Sequence, residues 1–295
     1  MPFATNPTPI VKWVGGKRQL QDRILAEFAN SSFDVETNTY FEPFFGGGAI
    51  LFALQPKKAV INDMNSKLVN LYRQVQGNLS ELTREARKIE TQYNTLAPDL
   101  DAQLQFFLEK RKAFNSGQPN NPEHAALFLF LNKAGFNGMY RENARGDFNI
   151  PFGKRAVLNL LDDGNLSSVS ELLKEVQILN DDFSKAVEKT AKAGDLVYFD
   201  PPYVPLTVTA AFTGYTKEGF DPDMQQNLAR VAKQLTERGV NVAISNSSHE
   251  TVRELYGPDF ESFPLMATRM LAAKTSSRAP VTELLFTNFR KLQNG

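Results

Sequence analysis

The sequence contains no cysteine and only two histidines, His124 and His249, among its 295 residues. The absence of cysteine excludes disulfide bonds, Cys/His zinc sites and every mechanism that uses a cysteine nucleophile. Neither histidine has companions at a metal-ligand spacing. We therefore expect both histidines to be structural or exposed, and we predict that the protein binds no metal ion.

A long apolar segment and an excess of charge are also missing. The longest purely apolar run, 125–131, is too short to cross a bilayer, and residues 1–16 lack the plan of a signal peptide. We therefore predict a cytoplasmic protein with no membrane contact. The 33 basic residues balance 33 acidic ones, which is not typical of a bulk nucleic-acid binder. From Asn132 to Arg155, however, five basic residues face two acidic ones, which permits one basic surface.

Short apolar strands alternate with helical patterns at both ends of the chain. The strands are predicted at 39–44, 59–63, 195–200, 240–245 and 283–288, and an amphipathic helix is predicted at 222–238. Such alternation indicates an α/β fold with a mostly parallel sheet that is covered on both faces.

The middle of the chain has a different pattern. It is helical at 79–93, 102–114 and 123–134, and then glycines and Asn137-Gly138 predict turns and a hairpin over 136–152. We therefore predict two domains, with residues 76–170 inserted into an α/β domain that is formed by 1–75 and 171–295.

A glycine-rich turn follows the first predicted strand. Glu42-Pro-Phe-Phe-Gly-Gly-Gly48 ends at a position where α/β sheets bind ligands, and Asp63 comes twenty-one residues after Glu42. Leu51 stands where the dinucleotide fingerprint needs a small residue, which disfavours a pyrophosphate cofactor. A nucleoside cofactor without phosphates, such as S-adenosylmethionine, fits, with Asp63 as an acceptor for ribose hydroxyls. A simple tight turn is the alternative.

The tetrapeptide Asp200-Pro-Pro-Tyr203 directly follows another apolar strand. It suits methyl transfer to an amino group on an aromatic ring, because the lone pair of such nitrogen is delocalised until acceptors bind its hydrogens. The carboxylate of Asp200 and the carbonyl of Pro201 can be those acceptors, and Tyr203 offers a face on which a base can stack. The alternative is that the prolines only stop the strand and that Tyr203 only packs.

Several motifs together resemble a known family, the Dam-type DNA N6-adenine methyltransferases and specifically their GATC-methylating branch. These motifs are Lys12-Trp-Val-Gly-Gly-Lys17, 41–48, 61–65, Phe136-Asn-Gly-Met-Tyr-Arg141, 146–153, 200–206 and 244–246. The resemblance implies a Rossmann-like S-adenosylmethionine-dependent core with a helical and hairpin insertion for target recognition. It also implies double-stranded DNA as partner, an orphan or restriction-modification enzyme, and a monomer or weak dimer.

The resemblance also assigns roles to single residues. It implies catalytic roles for Asp200, Pro201 and Tyr203. The residues that it implies in cofactor binding are Trp13, Lys17, Glu42, Gly46, Gly48, Asp63, Asp182, Phe183 and Asp200. Asp182 and Phe183 would hold the adenine of the cofactor, and the two glycines would form the loop under its methionine moiety.

The implied DNA-binding residues lie in the inserted segment. They are Phe136, Asn137, Met139, Arg141, Pro151 and Arg155. Phe136 corresponds to an aromatic residue that enters the base stack when the target adenine is extruded, which costs a few kcal/mol. Arg141 corresponds to an arginine that reads guanine. Met139 and Pro151 correspond to contacts with a thymine methyl group, while Arg155 is a candidate for flank or phosphate contacts.

Other interpretations stay open at this stage. Methylation of cytosine N4 or of protein glutamine is disfavoured, because those enzymes usually carry serine or asparagine where Asp200 stands; methylation of cytosine C5 is excluded by the lack of cysteine. A catalytically silent DNA-binding module and a target other than GATC are further alternatives. In the hairpin, Phe136 and Met139 could be core residues, and Arg141 could pair with Glu142 or Asp147. We also predict that 212–220 is a mobile loop that closes over the target base.

Overall fold

The computed structural model describes residues 6–203, 221–268 and 280–290, so the predicted loop at 212–220 lies outside the described residues. The chain forms two compact units. The helical unit consists of Met1–Gly16, Gly46–Gln55 and Asp63–Asn180, and the sheet unit consists of Lys17–Phe45, Pro56–Asn62 and Asp181–Gly295. Compactness does not test domain function, and the division at residues 76 and 170 stays a prediction.

The chain has seven strands among its described residues. They are β1 (Thr39–Glu42), β2 (Lys58–Asn62), β3 (Val176–Leu179), β4 (Leu196–Phe199), β5 (Asn241–Ser247), β6 (Glu261–Thr268) and β7 (Pro280–Thr287). The sheet unit contains all except β3, in the order β2-β1-β4-β5-β7-β6. The pairs β1/β2, β1/β4 and β4/β5 are parallel, whereas β7 runs antiparallel to both β5 and β6.

The centre of the sheet is fully enclosed. Every residue of β4 and of β5 is buried, which is typical of strands in a parallel sheet with both faces covered. Within the described part of this unit, the α-helices are Gln21–Phe28, Phe183–Val187, Pro222–Glu237 and Glu250–Tyr256. Helix Pro222–Glu237 begins at the Asp221 cap, whose carboxylate accepts from the N–H of Met224 at 2.9 Å. The predicted α/β fold class is confirmed, with β7 as an antiparallel addition to the parallel strands.

The helical unit is built around one buried helix. Helix Pro122–Ala134 is buried from His124 to Asn132, and helices Ser66–Gly77, Leu79–Thr95 and Leu100–Ser116 pack on it. It starts with an Asn121 cap and a proline in its first turn, two ordinary signals of a helix start. The unit also contains helices Ala49–Leu54 and Asp163–Leu173. The three helices predicted from 79 to 134 therefore form, each slightly longer than predicted.

The predicted hairpin follows this buried helix. Bridges join Gly135 to Phe152 and Glu142 to Phe148, both antiparallel. Asn137 has φ of 57°, a left-handed conformation that asparagine tolerates better than most residues. The hairpin is thus short and closed at two levels.

Two further observations concern the described residues alone. Within 6–203, 221–268 and 280–290, no helix has the length and apolar character needed to cross a membrane. The same ranges contain no cluster of three or more His, Asp or Glu side chains suited to a metal ion. His124 is buried against Phe114, and His249 caps helix Glu250–Tyr256. Both histidines therefore have structural positions, while the expectation of a metal-free protein stays a prediction.

Candidate active site

One edge of the sheet collects charged side chains. Strands β1, β4 and β5 are parallel, so their carboxyl ends meet at the same edge; Glu42 ends β1 and Asp200 follows β4. Glu283 lies opposite Ser247, the last residue of β5, because β7 runs in the reverse direction. The edge at which α/β sheets bind ligands therefore carries three acidic residues.

A buried lysine joins two of these acids. Lys17 Nζ lies 2.7 Å from Asp200 Oδ1 and 3.8 Å from Glu283 Oε2, and only 5% of the Lys17 side chain is exposed. Burial raises the pKa of Asp200 above the ordinary value, Lys17 opposes this shift, and the negative charge of Glu283 adds to it. Asp200 is thus a carboxylate in a partly dry environment, held by one direct ion pair.

The turn after β4 is fixed by side-chain contacts. The hydroxyl of Tyr203 donates to Glu283 Oε2 at 2.7 Å, and Lys17 Nζ lies 4.7 Å from the centre of the Tyr203 ring. The carbonyl of Pro202 accepts from Nε2 of Gln225, a buried residue of helix Pro222–Glu237, at 3.2 Å. Pro201, which stands between Asp200 and Pro202, is buried. The structure thus brings together three residues of the predicted site, Asp200, Tyr203 and Lys17.

Glu42 and the aromatic residues near it are also buried. Glu42 accepts a hydrogen bond from the hydroxyl of Tyr40 at 3.0 Å. Burial, together with the charge of Glu42, raises the pKa of Tyr40 well above its usual range, so this hydroxyl stays protonated and donates. Phe183 stacks on Phe44, with ring centres 5.2 Å apart.

Asp182 has a local structural contact in addition to its predicted role. Its Oδ1 accepts from the backbone N–H of Ser184 at 2.9 Å and caps the short helix Phe183–Val187. Its role in holding an adenine stays a prediction.

In the helical unit, Asp63 holds the glycine turn. Its Oδ2 accepts from the N–H of Gly46 at 2.9 Å, and its Oδ1 accepts from the N–H of Asn65 at 2.8 Å. Burial raises the pKa of Asp63, and these two hydrogen bonds oppose the shift. Gly46 and Gly48 have φ of 51° and 71°, which favours glycine. Helix Ala49–Leu54 begins directly after Gly48.

Trp13 lies against this turn and against the hairpin. A Cβ added to Gly46 would lie 2.7 Å from Trp13 Cδ1, so only glycine allows this approach. The other side of the contact is aromatic: Trp13 stacks on Tyr140 at 5.1 Å between ring centres, and Tyr140 stacks on Phe128 at 4.8 Å. The predicted cofactor residue Trp13 therefore packs directly against the predicted DNA-binding segment.

The predicted DNA-binding residues lie mainly at the surface. Phe136 is 50% exposed, which is unusual for so large an apolar side chain, and Met139 is partly buried. The backbone N–H of Phe136 donates to the carbonyl of Pro151 at 2.8 Å, which fixes these two residues side by side. The remaining exposed members of the set are Asn137, Arg141, Pro151 and Arg155.

Arg141 is oriented by a residue across the hairpin. Its Nε donates to Oδ1 of Asn149 at 2.8 Å, and the backbone N–H of Asn149 donates to the carbonyl of Arg141 at 3.1 Å. Glu142 instead accepts from Lys67 Nζ at 2.9 Å and from the hydroxyl of Tyr140, while Asp147 lies near Arg145. The alternative in which Arg141 pairs with Glu142 or Asp147 does not occur.

Three residues in these clusters were not predicted from the sequence. Glu283 has the clearest signal, since it is an acid at the start of an otherwise apolar strand. Asn149 and Tyr140 lie inside motifs that were recognised, but the contacts that give them a role join residues that no local pattern relates.

Comparisons with known proteins agree with this geometry. Residues 13–269 match the model of the family described as D12 class N6 adenine-specific DNA methyltransferase. The chain is 41% identical to the type II methyltransferase M1.LlaDCHI of Lactococcus lactis subsp. cremoris, with 96% of each chain covered. It is 36% identical to the type II methyltransferase M.MjaIII of Methanocaldococcus jannaschii, with 95% of this chain and 99% of that one covered. Identity to the DNA adenine methylase of Haemophilus influenzae is 32%, with 94% and 92% covered.

These matches span nearly the whole chain. Enzymes of this family use S-adenosylmethionine as methyl donor, which confirms the predicted cofactor. The chain belongs to the D12 class of N6-adenine-specific DNA methyltransferases.

Proposed function

We propose that this enzyme methylates the N6 atom of adenine within GATC sites of duplex DNA, and that Asp200 is the residue on which the reaction depends. The observation that carries the proposal is the position of Asp200: a mostly buried carboxylate directly after β4, held by Lys17 at the ligand-binding edge of the sheet. Acceptors of this kind are what a ring-attached amino group needs before it can attack a methyl group.

In the proposed mechanism, Asp200 accepts a hydrogen bond from the amino group of adenine. This contact draws the nitrogen lone pair out of conjugation, and the carbonyl of Pro201 accepts the second hydrogen. Tyr203, fixed by Glu283, supplies the face on which the extruded base stacks. When bound, the cofactor supplies a methyl group that is already activated on a sulfonium. The residues of the chain therefore act through alignment and electrostatics rather than through a covalent intermediate.

The charges and the glycine turn fit S-adenosylmethionine. In the sheet unit, Lys17 can bind the methionine carboxylate of the cofactor, and Asp200 and Glu42 can bind cationic or hydroxyl groups. In the helical unit, Asp63 holds Gly46 in the left-handed conformation and Trp13 covers the turn. Gly48, Asp182 and Phe183 join the proposed cofactor set through the resemblance of their motifs.

The surface residues of the hairpin fit recognition of GATC. Arg141 uses its Nε to hold Asn149, so its two terminal nitrogens point away from that contact and form a fork suited to O6 and N7 of guanine. Exposed Phe136 can replace the stacking that an extruded adenine loses. We further propose that Met139 and Pro151 contact a thymine methyl group, and that Asn137 and Arg155 contact the flanking backbone. The type II names of two relatives support a place in a restriction-modification system.

The test is methyl transfer from labelled S-adenosylmethionine to defined duplexes. We expect label in duplexes with GATC, no label when both adenines of the site are already N6-methylated, and a large loss of label when any one base pair is changed. Transfer of label to duplexes that lack GATC would show that the target is a different sequence. Binding of GATC duplexes without any transfer would support the catalytically silent module instead.

Gly46→Ala should weaken cofactor binding about tenfold. An alanine here combines a left-handed φ with a methyl group too close to the Trp13 ring, and such overpacking typically costs about 1–3 kcal/mol. Trp13 is the only tryptophan in the sequence, so its fluorescence reports the displacement directly, while calorimetric titration measures the affinity for S-adenosylmethionine.

The matched control for this variant is Gly77→Ala, because a Cβ at Gly77 would meet nothing within 4 Å. We expect the control to keep both the emission of Trp13 and the affinity for the cofactor. If Gly46→Ala also keeps both, Trp13 does not define the cofactor site.

A further inference from the structure

We propose that Glu283 gives the cofactor site its preference for the cationic methyl donor over the neutral product that remains after transfer. This inference rests on the proposed cofactor site at Lys17 and Asp200. It assigns Glu283 a positioning and selecting role that the motifs of the sequence do not contain.

The first observation is an imbalance of charge. One ammonium, that of Lys17, is shared by two carboxylates, at 2.7 Å from Asp200 and at 3.8 Å from Glu283. Lys17 is 5% exposed and each carboxylate only 17%, so water screens these charges weakly. The cluster of Lys17, Asp200 and Glu283 therefore carries one negative charge in excess.

The second observation is that Glu283 has a fixed position at the ligand-binding edge. It lies opposite Ser247, where β5 ends, and its Oε2 accepts the hydroxyl of Tyr203 at 2.7 Å. A carboxylate that is anchored at both its backbone and its side chain cannot turn away into water. The electrostatic field of the Glu283 carboxylate therefore acts on any ligand bound beside Asp200 and Tyr203.

Methyl transfer removes one positive charge from the cofactor, and the electrostatic field of the carboxylates favours a positively charged ligand. The bond between sulfur and the methyl carbon breaks, its electron pair stays on sulfur, and the amine that gains the methyl group releases one proton. S-adenosylmethionine has a net charge of about +1, whereas its product S-adenosylhomocysteine is neutral overall, with the remaining groups unchanged. An excess negative charge therefore stabilises the donor more than the product and favours exchange of spent cofactor for fresh.

Glu283→Gln separates charge from shape. The amide oxygen of glutamine can still accept the hydroxyl of Tyr203, but the negative charge is gone. We expect the Kd for S-adenosylmethionine to rise on the order of tenfold and the Kd for S-adenosylhomocysteine to change less than about twofold, both measured by calorimetry without DNA. Equal weakening of both ligands, or no change in either, would overturn the proposal.

Two control variants sharpen this result. Glu261→Gln removes the same charge from neighbouring strand β6, where the side chain is 41% exposed and lies near Arg290, and it should leave both Kd values unchanged. Tyr203→Phe removes the hydrogen bond but keeps both the charge and the backbone position of Glu283. The preference for the cationic donor should therefore fall much less than in Glu283→Gln. A ratio that falls as in Glu283→Gln would assign the preference to geometry and contradict our proposal.

Lys17→Met provides an independent test if Glu283→Gln does not fold. Removal of the Lys17 ammonium leaves the two carboxylates without a neutralising charge, so the ratio of Kd values should shift further toward the cationic donor. Any contact of Lys17 with the methionine carboxylate is common to both ligands and cancels in this ratio. An unchanged ratio would contradict the proposal. Asp200→Asn tests the proposed cofactor site separately from the proposed role of Glu283. If this variant keeps the affinity for S-adenosylmethionine, the proposed cofactor site itself is wrong.

Discussion

Replacing Asp200 with alanine should reduce methyl transfer by about 1,000-fold or more. The variant loses the proposed acceptor for the amino group of adenine and also the direct partner of Lys17, whose Nζ lies 2.7 Å from Asp200 Oδ1. We expect the affinity for S-adenosylmethionine to fall as well, because we propose that Asp200 contacts both the adenine and the cofactor. Single-turnover transfer of labelled methyl to a GATC duplex measures the first effect, and calorimetry measures the second.

Loss of activity in this variant should not be loss of folding. Removing one member of a buried ion pair typically costs about 3–5 kcal/mol when the remaining charge has no partner. Lys17 keeps Glu283 at 3.8 Å, so its ammonium stays compensated and we expect the thermal unfolding midpoint to remain close to that of the wild type.

The matched control is Asp259→Ala in the same unit, where the carboxylate pairs with exposed Lys233 at 3.6 Å. This control should keep full methyl transfer. Substantial transfer by a folded Asp200→Ala variant would show that the amino group of adenine is activated by another residue.

Arg141→Ala should relax selection for guanine while leaving the chemistry intact. A bidentate arginine contact contributes about 1–3 kcal/mol of discrimination between bases, which corresponds to a difference in rate of about 5-fold to 150-fold. The measurement compares methylation of GATC with duplexes in which guanine is replaced by adenine or by 7-deazaguanine, which lacks the N7 acceptor. The wild type should methylate both replaced duplexes much more slowly than GATC. In the variant, the difference in rate between GATC and each replaced duplex should be far smaller.

Arg145→Ala is the control for charge. Arg145 lies in the same hairpin, is 84% exposed and lies 3.4 Å from Asp147. Its removal should at most weaken binding to all duplexes alike and reduce the dependence on salt. A variant of Arg141 that keeps the wild-type preference for guanine would exclude Arg141 from base recognition.

The sequence predicts those parts of the fold and site that depend on neighbouring residues. The apolar run before Asp200 forms β4, and the helical patterns predicted at 123–134 and 222–238 match two helices to within one residue at each end. Asp200 and Tyr203 stand in a motif that the sequence alone marks as a site, whereas the role of Lys17 is implied by the resemblance, and its contacts with those two residues join distant segments.

Contacts between distant segments could not be predicted in this way. The proposed role of Glu283 depends on the antiparallel direction of β7, which brings Glu283 beside Ser247 at the end of β5. An apolar strand gives the same local pattern in either direction, so its orientation is decided by packing in the folded sheet. The hydrogen bond between the side chains of Arg141 and Asn149 likewise depends on the register of the hairpin. The sequence shows only the turn residues of that hairpin.

The doubly tied hairpin has a practical consequence for protein engineering. Arg141 and Asn149 fasten each other through both backbone and side chain, and the bridge between Glu142 and Phe148 lies just inside them. A segment whose own residues orient its side chains can be transferred to another protein as a unit. Under the proposed role of Arg141 in base recognition, we expect a graft of 141–149 between homologues to transfer specificity as one block. Exchanging Arg141 alone would leave the new side chain without the support of Asn149.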